Sequence, residues 1–315
     1  IDKNANSKAV LRLKESAGEF KYELRIVLLG KTGVGKSSVG NAILGEKVFK
    51  EINSATQICE RAEKVINGRR IVVIDTPGIF YTNRSEEELK EEIISSLVEC
   101  APGPHVFILV LKVDRYTQEN QQTVEKLLEY FTETIFPHMI LLFTHGEDLD
   151  ENMEIQHFIH QPDDRLKKLN YTEQAIREFT EKMKSAPAAE YRTNRYQFTQ
   201  LMKSIKNILK ENQGHHYSNE SLEEIGKSIN VEVEKILKEL GVERETGDMV
   251  EIKKKARERV RNKLGKRLSG VAVGTLLGAF LGVGVGIAAP VVMTAGLIGS
   301  IWRALTPSHP QGCFN

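Results

Sequence analysis

The apolar positions change period along the chain, and the changes mark its elements. Leu24-Arg25-Ile26-Val27-Leu28-Leu29 is a short, nearly continuous apolar run, as expected of a strand buried on both faces. Ser38 to Leu44 follows a glycine-rich stretch and reads as a helix start. Ile58 to Ile66 and Arg69 to Ile74 flank Asn67-Gly68, which predicts a hairpin. Ser85 to Cys100 puts Leu89, Ile93, Ile94 and Leu97 on one helical face. Val106 to Leu111 is a second continuous apolar strand. Thr117 to Phe131 predicts a helix with Val124, Leu127, Leu128 and Phe131 inward, and Met139 to Phe143 another buried strand. This alternation predicts an α/β fold, a doubly wound and mostly parallel sheet with one antiparallel hairpin strand. Ligands of such sheets sit beyond the carboxyl ends of the strands.

The pattern then turns wholly helical. Residues 163–184 are charged with helical propensity, and Phe198 to Leu209 carries Leu201, Ile205 and Leu209 in register. Gln213 to Tyr217 reads as a break. Leu222, Ile225, Ile229, Val233, Ile236, Leu237 and Leu240 recur at helical spacing, and Gly241 ends that helix. Ile252, Ala256, Val260, Leu264 and Leu268 form an every-fourth-residue stripe for packing. The other faces carry Lys253, Lys254, Lys255, Arg257, Arg259, Arg261, Lys263, Lys266 and Arg267.

From Gly270 to Trp302 no residue is charged, a run of 33 positions (302 − 270 + 1). About 20 suffice to cross a bilayer. Gly270, Gly274, Gly278, Gly282 and Gly286 repeat at every fourth position, a ridge for close helix contact in lipid, and Pro290 divides the run. Two membrane topologies fit, a single tilted tail anchor or a hairpin of two shorter helices; a Gly-rich buried hairpin is the soluble alternative. The basic helix before the run favours a cytosolic amino-terminal side and offers cations to anionic headgroups. The expected organisation is a lead-in at 1–21, a nucleotide-binding domain at 22–213, a helical extension at 214–269, a hydrophobic membrane segment at 270–303 and a short tail at 304–315.

Composition narrows the choice of partners. The 315 residues carry a formal net charge of +1, so no global field draws nucleic acid. Cys59, Cys100 and Cys313 share no metal-ligand spacing and fit free thiols in a reducing compartment. Cys313 is third from the end, not fourth as a prenylation box requires. The polar first residues carry no secretory-signal pattern.

The candidate chemistry lies between the first strand and the first helix. Gly30-Lys31-Thr32-Gly33-Val34-Gly35-Lys36-Ser37-Ser38 fits G-x-x-x-x-G-K-[ST], a loop whose inward-turned amides cradle phosphates at a helix amino terminus. Lys36 is expected to neutralise the β- and γ-phosphates and Ser37 to ligate Mg²⁺. Asp75-Thr76-Pro77-Gly78 closes a later strand. Asp75 is placed to position the Mg²⁺, and the Gly78 amide to sense a γ-phosphate. Thr56 is the candidate threonine that completes the Mg²⁺ shell when triphosphate is bound. Taken singly, each has a plainer reading: a glycine-rich turn, an Asp-Pro-Gly turn, a solvated loop threonine. Their order along the chain argues for one site.

These segments resemble the immunity-associated GTPases, the GIMAP family, in the septin-like branch of P-loop GTPases. The resemblance rests on Gly30 to Ser38, on Ser54-Ala55-Thr56-Gln57-Ile58-Cys59, and on Asp75 to Gly78. It continues through Gly103-Pro104-His105-Val106, Asp114-Arg115-Tyr116-Thr117 and Thr144-His145-Gly146-Glu147-Asp148-Leu149, and covers roughly residues 22–150. It implies a P-loop GTPase domain that binds GTP and GDP with Mg²⁺ and assembles under nucleotide control. The usual guanine motif is [NT]-K-x-D. Asp148 supplies the Asp, Gly146 replaces the Lys, and His145 stands where Asn or Thr is usual. Asn194 is the expected remaining base contact.

Ile79 follows Gly78, where Ras-like enzymes place a water-orienting Gln, so hydrolysis by one copy is expected to be slow. The resemblance implies face-to-face pairing of G domains, which carries Arg115 to a partner's γ-phosphate. The plain alternative is a surface Arg paired with Asp114 or Glu119. Two functions follow: a dimerisation-activated GTPase, or a membrane scaffold that binds GTP and barely hydrolyses it. An ATPase would require Asp148 to be irrelevant. The expected partners are a second copy, related family members and the cytoplasmic face of an intracellular membrane.

Overall fold

The computed structural model describes residues 23–50, 59–78, 85–112, 134–146 and 193–281. The helices expected at 117–131 and 163–184, and Thr56, Ile79, Arg115 and Asp148, lie outside the described residues. A five-stranded sheet runs in the order β2-β3-β1-β4-β5. Its strands are β1 (Leu24–Leu29), β2 (Glu60–Ile66), β3 (Arg69–Asp75), β4 (Val106–Lys112) and β5 (Met139–Thr144). Among the described strands only β2 pairs antiparallel, through a hairpin whose Asn67 and Gly68 have φ of 52° and 78°, the double positive that a tight two-residue turn demands. The helices are α1 (Lys36–Leu44), α2 (Glu86–Cys100), α3 (Asn194–Glu211), α4 (Glu220–Leu240), α5 (Met249–Leu268) and α6 (Val273–Leu281). A capping box between Ser85 and Glu88 starts α2.

Strand alternation sorts the core into two layers. Ile26 and Leu28 of β1, Ile71 and Val73 of β3 and Ile108 of β4 face one side, where α1 and α3 pack. Val27, Leu29, Val72, Ile74, Phe107 and Leu109 face the other, with α2, α4, α5 and α6. The sheet is thus covered on both faces, and its central strands are apolar throughout for that reason. The helices from Glu220 to Leu268, expected as an extension, share this second layer with the sheet.

Two sequence expectations about the carboxyl-terminal part are corrected. The cations of α5 are not all offered outward. Arg257 and Arg261 meet Glu99 of α2 at 3.0 and 2.9 Å, and Arg259 and Lys263 meet Glu232 of α4. Acids on the neighbouring helices use much of the charge that headgroups would have needed. The first part of the charge-free run is likewise inside the protein. Leu276, Leu277, Phe280 and Leu281 of α6 are buried in the layer with α2 and α4, and the Asn219 amide donates to the Ala279 carbonyl at 3.1 Å. Neighbouring helices meet the apolar demand that the sequence assigned to lipid. Among the described residues no helix is long and apolar enough to cross a membrane.

The amino-terminal edge of the sheet is closed by a histidine. The Arg25 amide donates to His105 Nδ1 at 3.0 Å, and the His105 amide returns a bond to the Arg25 carbonyl at 2.9 Å. The ring must therefore be neutral at Nδ1. Burial first, and then the Arg25 guanidinium, hold its pKa down to about 3. Between about pH 3 and 6.5 the unfolded chain binds a proton that folded His105 refuses, so stability rises with pH across that window. Thermal melts should fall as the medium is acidified through it. His105→Asn, whose amide oxygen can replace the Nδ1 acceptor, should show a flatter fall than the unmodified chain in the same buffers.

Candidate functional site

The candidate site lies where β1 ends between β3 and β4. Leu28 is in register with Asp75, so the loop leaving β1 and the acid ending β3 emerge side by side. Gly35 precedes α1 in a left-handed conformation, φ 93°, and no side chain caps the helix. The first turn of α1 carries no acid. Its amide end therefore keeps its affinity for an anion. Lys36 is buried, and its Nζ donates to the Gly30 and Lys31 carbonyls at 3.1 and 2.9 Å. That cation sits inside the ring of main-chain groups.

Ser37 Oγ donates to Asp75 Oδ2 at 2.6 Å. Asp75 is 1% exposed, and its Oδ1 is buried without a hydrogen-bond partner. Burial raises the Asp75 pKa, against the opposing pull of the Ser37 bond and the Lys36 charge. A buried carboxylate oxygen without a partner, beside a hydroxyl and an anion-binding helix end, fits a hard divalent cation such as Mg²⁺. Thr76 Oγ1 donates to the Leu28 carbonyl at 2.6 Å and fixes the chain after the acid. A Cβ at Gly78 would lie 2.9 Å from the Thr32 amide, so only a glycine brings this backbone against the phosphate loop.

Two further side chains brace the loop and the chain leaving α1. Thr144, ending β5, donates from Oγ1 to the Val34 carbonyl at 2.6 Å. Asn41, buried in α1, accepts from the Val48 and Phe49 amides at 2.8 Å each and donates to the Phe49 carbonyl at 2.9 Å. Phe49 packs over Gly40, where a Cβ would stand 2.8 Å from its ring. Residues 45–50 are thereby anchored ahead of the segment that carries Thr56.

The structure brings Gly30, Lys31, Thr32, Gly33, Val34, Gly35, Lys36, Ser37, Ser38, Asp75 and Gly78 to one end of the sheet. His145 follows Thr144 there in a left-handed conformation, φ 57°. Asn194 lies in the first turn of α3, exposed, behind an N-cap in which Thr193 accepts from the Tyr196 amide. Sequence reasoning missed Asn41 and Thr76 and gave Thr144 no role. Asn41 did carry a signal, since a polar residue among Val39, Gly40, Ala42 and Ile43 needs a partner. Thr144 had none, because its partner lies 110 positions away.

The AIG1 family profile matches residues 24–236, from β1 into α4. The chain belongs to the AIG1 family. It is 39% identical over 153 residues to Immune-associated nucleotide-binding protein 3 of Arabidopsis thaliana, covering 47% of this chain and 46% of that protein. It is 38% identical over 154 residues to GTPase IMAP family member 8 of Mus musculus, covering 47% of this chain and 21% of that protein. The chain thus spans less than half the length of either relative. A crystal structure of Toc33 from Arabidopsis thaliana in complex with Mg²⁺ and GMPPNP aligns over 69% of this chain and 95% of that one, at 20% identity and a TM-score of 0.47. Helices α5 and α6 lie beyond the AIG1 match.

The Asn41 brace gives a test that is independent of any ligand. Asn41→Ala leaves the buried Phe49 amide and the part-buried Val48 amide without their acceptor and should cost about 2 kcal/mol. Urea unfolding should show a lower midpoint with an unchanged slope.

Proposed function

We propose that this chain binds GTP and GDP with Mg²⁺ and hydrolyses GTP slowly, with assembly through pairing of G domains at a membrane surface. One observation carries the reading: Ser37 bonded to Asp75 at 2.6 Å, with the second oxygen of that acid unpaired, beside buried Lys36. Ser37, Asp75 and, in the triphosphate state, Thr56 hold the Mg²⁺. When bound, the ion neutralises phosphate charge. The amides from Gly30 to Ser38 and the Lys36 ammonium hold the phosphates, and the Gly78 amide meets the γ-phosphate. Asp148 accepts from the guanine N1 and N2 groups, with His145 and Asn194 beside the base. The names of the two relatives, a GTPase and a nucleotide-binding protein, support this assignment.

Ile79 cannot orient an attacking water, so turnover by one copy is slow. Arg115, three positions beyond the end of β4, supplies the missing charge to a partner's nucleotide. The charge-free carboxyl-terminal run, beyond its buried start in α6, holds the assembly at the cytoplasmic face of an intracellular membrane, as a tail anchor or as a hairpin turned near Pro290. Ile79 also favours a second reading, a scaffold that binds GTP and does not turn it over.

Affinity for GTP, GDP and ATP, measured beside turnover across a protein titration, separates the readings. GTP and GDP should bind with Mg²⁺, ATP should compete poorly, and Lys36→Ala should abolish retention. Turnover per chain should rise with protein concentration, and Arg115→Ala should lower that rise by about a thousandfold, the low end for an arginine acting in trans. Tight GTP binding with negligible turnover at every concentration would leave the scaffold. Preference for ATP would sink both.

A further inference from the structure

The phosphate loop has an outer side as well as an inner one, and Thr144 occupies it. A trans peptide points its C=O and N–H in opposite directions. The peptide joining Val34 to Gly35 therefore turns its amide into the loop only while its carbonyl is directed outward. That carbonyl receives the Thr144 hydroxyl at 2.6 Å, the shorter of two contacts the hydroxyl makes. The other is to the Leu111 carbonyl at 3.3 Å, on β4, so the single proton is shared unequally between the loop and a strand. The Thr144 methyl stands on the same side. A Cβ built at Gly35 would lie 3.5 Å from Thr144 Cγ2, so the methyl faces the loop at Gly35 with room for about one carbon between them. Gly35 holds φ 93°, a conformation in which a glycine peptide turns over easily unless something outside fixes it.

We infer that Thr144 is a positioning residue for phosphate binding: its hydroxyl fixes the Val34–Gly35 peptide with the Gly35 amide directed at the nucleotide phosphates. It touches neither phosphate nor base. It acts through the loop, from the strand end that continues directly into His145 and the base-reading segment. Among Thr, Val and Ser, only Thr supplies both the hydroxyl and the methyl. The hydroxyl sets the peptide's direction, and the methyl faces Gly35.

This inference rests on the nucleotide-binding reading above, and the experiment keeps the two apart. Fluorescent GDP and a non-hydrolysable GTP analogue are titrated with Mg²⁺ onto the full chain and onto Thr144→Val and Thr144→Ser. Thr144→Val keeps the shape and loses the donor. It should weaken both nucleotides by the same factor, about tenfold, because the affected amide serves the shared phosphates. The preference for GDP over ADP should not change, since the base-reading residues are untouched. Thr144→Ser should bind within about twofold of the unmodified chain. Failure of the unmodified chain to bind either nucleotide would overturn the nucleotide reading, and this inference with it. Binding by the unmodified chain with undiminished affinity in Thr144→Val would overturn this inference alone. So would a changed GDP-to-ADP preference in Thr144→Val, which would place the effect in the base-reading segment. Weakening in Thr144→Ser as large as in Thr144→Val would show that a hydroxyl at this position does not restore binding, and would overturn the claim that the hydroxyl fixes the peptide, even if Thr144→Val folds poorly.

Discussion

The hydrogen bond between Ser37 and Asp75 joins the start of α1 to the end of β3, and the rest of the site is arranged around it. It is possible because β1 and β3 run parallel and in register, Leu28 opposite Asp75, so that the loop after one strand meets the acid at the end of the other. Thr76 ties the next residue back to the Leu28 carbonyl, which stops the acid from swinging away. With one carboxylate oxygen engaged and the other buried without a partner, the acid is held in place with one oxygen unsatisfied, chemistry that suits a hard cation. Lys36 stands one residue earlier on the same helix turn, which sets cation, hydroxyl and acid together without any long-range adjustment.

The two layers on the sheet serve different ends. The layer with α1 and α3 supports the phosphate loop and, through Asn41 and Phe49, the chain leaving α1. The layer with α2 holds the carboxyl-terminal helices. Helix α2 starts after residues 79–84 and carries Glu99 near its far end, where Arg257 and Arg261 are attached. A 15-residue helix is about 22 Å long. One rigid rod therefore links the chain following Gly78 to the docking point of α5.

Much of this was legible in one dimension. The five strands, the Asn67-Gly68 turn and the stripe on α5 follow from apolar spacing, and the loop from Gly30 to Ser38 follows from its glycines. What failed to show has a common physical origin. An apolar helix reads the same whether protein or lipid covers it, so the sequence could not choose between lipid and the burial of Leu276 to Leu281 against α2 and α4. A basic helix reads as a free charged face until the acids opposite it, Glu99 and Glu232, are brought near by folding. Thr144 and Thr76 act through main-chain carbonyls, which carry no sequence signature at all. The role of Asp75 could be expected from its place at a strand end, but its unpaired oxygen could not.

The uneven exposure of the α5 ion pairs has a consequence for how the protein responds to salt. Glu99 and Arg257 are 8% and 12% exposed, whereas Arg259 and Glu239 are 42% and 54% exposed. Mobile ions at about 0.1 M screen exposed charges beyond roughly 10 Å but reach a sheltered pair far less. Raising the ionic strength therefore loosens the rim of the α4–α5 hairpin and leaves its root on α2 in place. A concentrated salt wash, the ordinary way to strip a basic helix from an acidic surface, would leave this one where it is.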